Sequence, residues 1–160
     1  MNCQIAVKEK KKLDQVFKDT GELLKEINRH SIDLEMQSHL AKYLCVLVSA
    51  FLEKSVRAIL HDYVRNRSAP VVSKYVEGQL QLFYNPKTNR ILELAGAFDP
   101  AWRTSLEAAI EDEIRDALDT IVENKNRVAH GRDSQITFVA ISAYYESATR
   151  VLDLLERHCT

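Results

Sequence analysis

The chain has 160 residues, of which 46% are apolar, and its formal net charge is −1. This length and composition fit one domain with its own core, so we expect residues 1–160 to form a single domain. A net charge this close to zero excludes an overall electrostatic attraction to nucleic acid or membrane. Any phosphate-binding surface must therefore be a local patch of positive charge.

Two long helices are predicted in the first part of the chain. Apolar residues at helical spacing predict an amphipathic helix over residues 7–30, and the lysines at 10–12 are expected to face solvent. Asp33 suits the N-cap of a second helix, which continues to about Asn66. Its residues 44–52 are apolar on every side, which predicts burial on every side, in a central position or against a second subunit. The stripe of the first helix consists of Leu13, Val16, Phe17, Leu24 and Ile27.

Prolines mark the starts of the next helices. The chain restarts at Pro70 in a third helix over residues 71–83, and a short fourth helix is predicted over residues 88–98. Asp99 and Pro100 together predict the start of a fifth helix, with the aspartate as N-cap and the proline at the first helical position, where no amide donor is missed.

The fifth predicted helix is long, and a final helix follows it. One apolar stripe carries the fifth helix to Val128, and its acidic opposite face is expected to face solvent. The final helix has Thr137 as its N-cap, with Ile136 and Ile141 placed as a hydrophobic staple and Tyr145 in the core. The apolar stripe consists of Leu106, Ile110, Ile114, Ala117, Ile121 and Val128, and the acidic face of Glu107, Glu111, Asp112, Asp116 and Asp119.

The fold class and the compartment follow from these patterns. No segment has a convincing strand pattern, so we expect an all-α bundle with two long central helices and additional short ones.

The odd number of cysteines without a CxxC spacing is typical of reduced thiols in a cytoplasmic protein. The N-terminal residues lack the apolar run of a signal peptide, and the longest apolar run is far below the roughly 20 residues that span a bilayer. We therefore expect a cytoplasmic protein outside the membrane.

The corner between the last two predicted helices, KNRVAHGRD at residues 125–133, allows two interpretations. In the first, every residue of the corner belongs to the C-terminal cap of a helix. Gly131 suits the left-handed position after a helix, while His130, Arg127 and Lys125 face the negative end of the helix dipole.

The second interpretation is a phosphate site. Asn126 and His130 are four residues apart and project from one helical face, Arg127 lies about 60° away, and Lys125 points off that face in a regular helix. An imidazole moves protons near neutral pH, and Lys125, Arg127 and Arg132 supply charge that binds a phosphodiester. This chemistry needs no cofactor, and the histidines and cysteines lack the spacing of a metal site.

The corner also resembles a known motif. It is similar to that of the HEPN family, most closely its RiboL-PSP-HEPN branch, in which an arginine is followed by a polar residue and then by a histidine four to six residues beyond the arginine. Here Asn126 lies at the polar position and His130 at the histidine position. The resemblance covers most of the chain from about residue 40, through residues 47–60, 83–102 and 121–156.

The resemblance implies a function, a set of partners and a set of site residues. It implies a metal-independent endoribonuclease of a toxin–antitoxin or phage-defence system, without a cofactor, which leaves a 2′,3′-cyclic phosphate and a 5′-hydroxyl. It also implies catalytic roles for His130, Asn126 and Lys125, a homodimer whose two motifs share one cleft, and RNA as the substrate. An antitoxin or another protein is a further partner, although the tyrosine that antitoxins modify in the family corresponds to Arg132 here.

One departure from the motif keeps an alternative open. The arginine position holds Lys125, which keeps the charge but replaces a planar two-pronged donor with a mobile point charge. The alternative is a catalytically inert HEPN domain that binds RNA or a nucleotide, or that serves for dimerisation.

Overall fold

The computed structural model describes residues 3–29 and 34–159, with the side chains of residues 27–29 excepted. Across these ranges the chain forms seven helices and no strand, which confirms the all-α prediction. Nor does any helix in them combine the length and apolarity needed to cross a membrane. The helices are α1 (Gln4–Arg29), α2 (Leu34–Arg65), α3 (Pro70–Leu80), α4 (Thr88–Phe98), α5 (Pro100–Ala109), α6 (Asp112–Ala129) and α7 (Phe138–His158).

Helix α2 is the centre of the bundle, because α1, α3, α6 and α7 all pack against it. Its apolar segment places Leu44, Val48 and Leu52 completely out of solvent. Burial on every side is nevertheless not reached within one chain, since Leu47 is half-buried and Ala50 is exposed. The predicted central position is confirmed, and one apolar side of α2 is left at the surface.

Helices α1 and α7 pack through aromatic side chains. The ring of Tyr145 stacks on Phe17 at 4.8 Å between centroids, and its hydroxyl donates to Asp14 at 2.7 Å. Burial, together with the Asp14 carboxylate, raises the pKa of Tyr145 well above its ordinary value. The predicted core position of Tyr145 is confirmed, whereas the predicted N-cap Asp33 lies outside the described residues.

The predicted fifth helix is two helices. Ile110 has extended backbone angles, φ −88° and ψ 102°, and separates α5 from α6. The break has a packing reason, because α5 pairs mainly with α4 whereas α6 lies against α2 and α7. Asp112 and Glu113 are in the first turn of α6, where acidic side chains favour the positive end of the helix dipole. The apolar stripe survives the break, and Ile110 remains buried, although Val128 is only half-buried.

Two predicted N-caps, Asp99 and Thr137, are confirmed. The Asp99 carboxylate accepts the Ala101 amide at 2.8 Å, and the Thr137 hydroxyl accepts the Ala140 amide at 3.2 Å. The third helix begins one residue before its predicted start and ends at Leu80, three residues before its predicted end. Beyond it the chain turns, so that Phe83 is buried and its carbonyl accepts the guanidinium of α2 residue Arg57.

Candidate active site at the end of the sixth helix

The end of α6 is a complete backbone cap. Gly131 has φ +65°, the left-handed conformation that glycine adopts without strain. The Arg132 amide donates to the Arg127 carbonyl at 2.8 Å, and the Gly131 amide to the Val128 carbonyl at 3.1 Å. These two bonds are those of a Schellman motif, which satisfies carbonyls that a helix end leaves without partners. The cap predicted from the sequence is therefore real.

This cap uses only backbone groups, so it leaves the side chains of the corner for other roles. His130, the last residue before Gly131, is exposed. Neither the imidazole of His130 nor the guanidinium of Arg132 forms a hydrogen bond or ion pair with any residue that the structure describes. The capping interpretation and the phosphate-site interpretation are consequently compatible.

Lys125 is held by two amide oxygens. Its Nζ donates to Asn85 Oδ1 at 2.9 Å and to Asn126 Oδ1 at 3.2 Å. The sequence predicts that Lys125 points off the face of Asn126, but the long side chain returns its ammonium to that neighbour. Lys125 and Asn126, both half-buried, are thus the two predicted site residues whose side chains the structure brings together.

Asn85 is a further candidate site residue, which the sequence patterns did not indicate. The pair Asn85-Pro86 signals only a helix break in the sequence. In the structure Asn85 has φ +51°, a left-handed conformation in which asparagine is enriched among residues other than glycine. Nothing in the sequence pattern indicates that this turn lies against residue 125, forty positions later.

The loop that carries Asn85, residues 81–87, is fixed at both of its ends. At the first end, Arg57 donates to the Phe83 carbonyl and also pairs with Glu53 at 2.7 Å. At the second end, Lys87 pairs with Glu123 of α6 at 2.7 Å, which raises the pKa of that ammonium. The loop is therefore fastened to α2 and to α6, on either side of Asn85.

Acidic side chains of α6 also hold the start of α4. The Asp119 carboxylate accepts the Thr88 amide at 2.9 Å, in place of a local side-chain cap. Asp119 is half-buried, so the prediction that it faces solvent is wrong. The other four acidic residues of that face are exposed as predicted: Glu107, Glu111, Asp112 and Asp116.

Arg127 organises the loop between α6 and α7. Its Nε donates to the Asp133 carbonyl at 2.8 Å. The Asp133 carboxylate accepts Lys42 of α2 at 3.1 Å and the Ser134 amide at 2.8 Å, and these bonds lower its pKa. Ser134 is buried and donates to Asn124 at 2.7 Å. The loop that follows His130 is thus held against both α6 and α2.

The cationic side chains at this end of the bundle differ in whether a carboxylate neutralises them. Lys42 and Lys87 pair with Asp133 and Glu123, so their charges are largely neutralised. Among the described residues, by contrast, no carboxylate lies within 4.0 Å of Lys125, Arg127 or Arg132. The corner therefore keeps local positive charge on a chain whose net charge is −1.

The comparison with protein families decides the assignment. A family model described as RiboL-PSP-HEPN matches residues 11–160. The chain belongs to the RiboL-PSP-HEPN family. HEPN domains are generally associated with ribonucleases. Searches of curated proteins and of solved structures found no significant match.

In this HEPN domain the candidate site lies where three segments meet: the last turns of α6, Asn85 of the loop before α4, and residues 131–134 after α6. Lys125 and Asn126 form its half-buried inner part, and His130 and Arg132 its exposed outer part. Within the described ranges no group of three or more His, Cys, Asp or Glu side chains could hold a metal ion. The groups at this end offer proton transfer and anion binding.

Proposed function

We propose that this HEPN domain is a metal-independent endoribonuclease that cleaves RNA by attack of the ribose 2′-hydroxyl on the adjacent phosphorus. One observation carries the proposal. The Lys125 ammonium, held by neutral amides, and the His130 imidazole, free of described partners, lie on the last turns of the same helix. A fixed cation and an available proton carrier are the two groups that phosphodiester transfer requires.

The proposed reaction follows from these groups. His130 removes the 2′-hydroxyl proton, the 2′-oxygen bonds to phosphorus, and the bond from phosphorus to the 5′-oxygen breaks. The leaving 5′-oxygen takes up a proton from a second, protonated imidazole or from water, so the products are a 2′,3′-cyclic phosphate and a 5′-hydroxyl. Lys125, with Arg127 and Arg132, binds the phosphoryl oxygens whose charge grows during the step. Asn126 orients the phosphate or His130.

A homodimer is part of the proposal. Each corner supplies one imidazole. A step that removes one proton and delivers another uses two groups, one as base and one as acid. Two corners that face each other across one cleft supply both imidazoles and double the local positive charge. The apolar side of α2 that remains at the surface favours such an assembly. The proposed setting is a cytoplasmic toxin or phage-defence system, with an antitoxin or another protein as a further partner.

The decisive test is the activity of the purified protein on total RNA, with and without EDTA. We expect cleavage that persists in EDTA and leaves cyclic phosphate ends. His130→Ala should lower the rate by about 10²–10⁴-fold at unchanged helical content by circular dichroism. Cleavage by His130→Ala at the wild-type rate would remove His130 from the mechanism. Loss of activity in EDTA that zinc or magnesium restores would show a metal-dependent enzyme instead.

A second candidate function is favoured by one residue. Lysine at the motif's arginine position lacks the planar fork that grips a phosphate by two donors. On this basis the alternative is an inert HEPN domain that binds RNA or a nucleotide, or that serves as a dimerisation module. RNA binding without cleavage, over a range of RNA substrates and pH values, would establish the alternative.

A further inference from the structure

We propose that Asn85 is a positioning residue that fixes the Lys125 ammonium for contact with an RNA phosphate. This inference deepens the proposed function and rests on it, because it concerns how the same corner binds the RNA backbone. Asn85 belongs to the loop between α3 and α4, outside the motif on α6, and its side-chain oxygen accepts a hydrogen bond from the Lys125 ammonium.

The hydrogen bonds of the Lys125 ammonium carry the argument. An ammonium has three N–H donors. Two of them are directed to Asn85 and Asn126, so one N–H is left for a phosphate oxygen. A lysine is ordinarily a mobile point charge whose rotamer freedom is lost on binding. Here two amides fix its position before the ligand arrives, which recovers part of the geometry that an arginine fork supplies.

The charge of these partners matters as much as their position. Amide oxygens are neutral, so they orient the ammonium and leave its positive charge available to a phosphate. Lys87, on the same loop, shows the contrasting arrangement, since it is paired with the Glu123 carboxylate. The Lys87 ammonium is therefore neutralised by a carboxylate, whereas the Lys125 ammonium is held by an amide that leaves its charge available to a ligand.

The backbone at Asn85 explains why this residue suits the position. The turn requires φ +51°, which glycine adopts freely and asparagine tolerates. Glycine meets the backbone requirement but has no acceptor. Aspartate has an acceptor but would neutralise Lys125. Asparagine alone of these three combines the turn, the acceptor and the absence of charge, while the anchored Phe83 and Lys87 hold it in place.

The main test compares Asn85→Gly with wild type by the affinity for a 2′-O-methyl oligoribonucleotide, which cannot be cleaved. Glycine keeps the turn and removes only the amide, so the thermal midpoint should change little. We expect the Kd to rise by about three- to tenfold. In a Lys125→Ala background the same substitution should have no further effect, because the ammonium that it positions is gone. Equal effects in both backgrounds, or none in either, would overturn the inference.

A charge series completes the experiment. Asn85→Asp should weaken oligonucleotide binding more than Asn85→Gly, since its carboxylate adds an ion pair to Lys125. Gln81→Glu is the matched control, because it places the same charge at an exposed position of the same loop without a bond to Lys125. It should bind nearly as tightly as wild type. Equal weakening by Asn85→Asp and Gln81→Glu would reduce the effect to general repulsion and contradict a positioning role.

These outcomes separate the inference from the function on which it rests. Coupling between Asn85 and Lys125 in binding, with no cleavage of any RNA, would refute the nuclease and retain the positioned cation. Cleavage that depends on His130, with no coupling between Asn85 and Lys125, would retain the nuclease and refute the inference. A wild-type protein that does not bind the oligonucleotide would overturn the positioning role directly.

Discussion

Lys125 occupies the position at which the family motif has an arginine, and its substitution gives the first residue-scale prediction. Lys125→Arg restores a planar fork with five donors beside the Asn126 amide. We expect the rate of RNA cleavage to be maintained or raised, as measured with a defined oligoribonucleotide under single-turnover conditions. Cleavage by Lys125→Arg from an inert wild type would mark the natural protein as a binding module. Absence of cleavage from both would refute the proposed catalytic role of this site.

The cysteines give a second residue-scale prediction, which concerns reactivity. Burial raises the pKa of Cys45 to about 11, and burial with the nearby Glu156 carboxylate raises that of Cys159 to about 12. Only the thiolate is nucleophilic, so at pH 8 both groups are almost entirely in the unreactive thiol form. Ellman's reagent should therefore react slowly with the native protein and rapidly with all 3 cysteines in guanidinium chloride. Fast reaction of Cys45 in the native state would contradict its burial.

At the scale of elements, two glycines provide a matched pair for the helix cap. Gly131 has φ +65° with no atom within 4 Å of an added Cβ, so alanine there introduces backbone strain without a clash. Gly131→Ala should lower the free energy of unfolding by about 1–2 kcal/mol. Gly78, within α3, has equally open space but no positive φ, and Gly78→Ala should raise it by about 0.5–1 kcal/mol. Urea denaturation measures both changes, and effects of the same sign would refute the cap.

The break at Ile110 shows where sequence patterns stop determining the elements. The helical periodicity identified the buried residues before and after the break. Burial depends only on which face of a helix a residue lies on, and the apolar faces of α5 and α6 both pack against the core. The interruption itself depends on which helices α5 and α6 pack against, and that information is not local. Asp112 and Glu113 were a usable start signal for α6, although the same residues also suit a solvated face.

The candidate site was predictable to the same extent. The candidate residues on α6 were predicted from their spacing, and their catalytic roles are still a proposal, whereas the cap predicted from Gly131 is confirmed. The contact of Asn85 with Lys125 was not, because it joins positions 40 residues apart through a turn whose direction no pattern specifies. The candidate side chains were therefore predictable from the local sequence, and the long-range hydrogen bonds that position them were not.

At the scale of the whole molecule, the arrangement of surfaces bears on assembly. Along α2, Tyr43 and Ala50 are exposed and Leu47 is half-buried, on a helix that otherwise lies in the centre of the bundle. Near its N-terminus Leu34 and Met36 are exposed as well. Lys42, on the same part of α2, contacts Asp133 in the loop after His130. An interface along this side of α2 would thus adjoin the corner that carries the site.

A shared cleft predicts that the two subunits depend on each other. In the proposed dimer, isologous contacts bring both corners into one groove, and each cleavage uses the imidazoles of both chains. A heterodimer of wild type and His130→Ala, purified through two different affinity tags, should therefore cleave RNA at much less than half the wild-type rate. The wild-type homodimer carried through the same two-tag purification is the control. A mixed dimer that retains half the activity, or a monomer by light scattering at micromolar concentration, would refute the composite site, because each corner would then act alone.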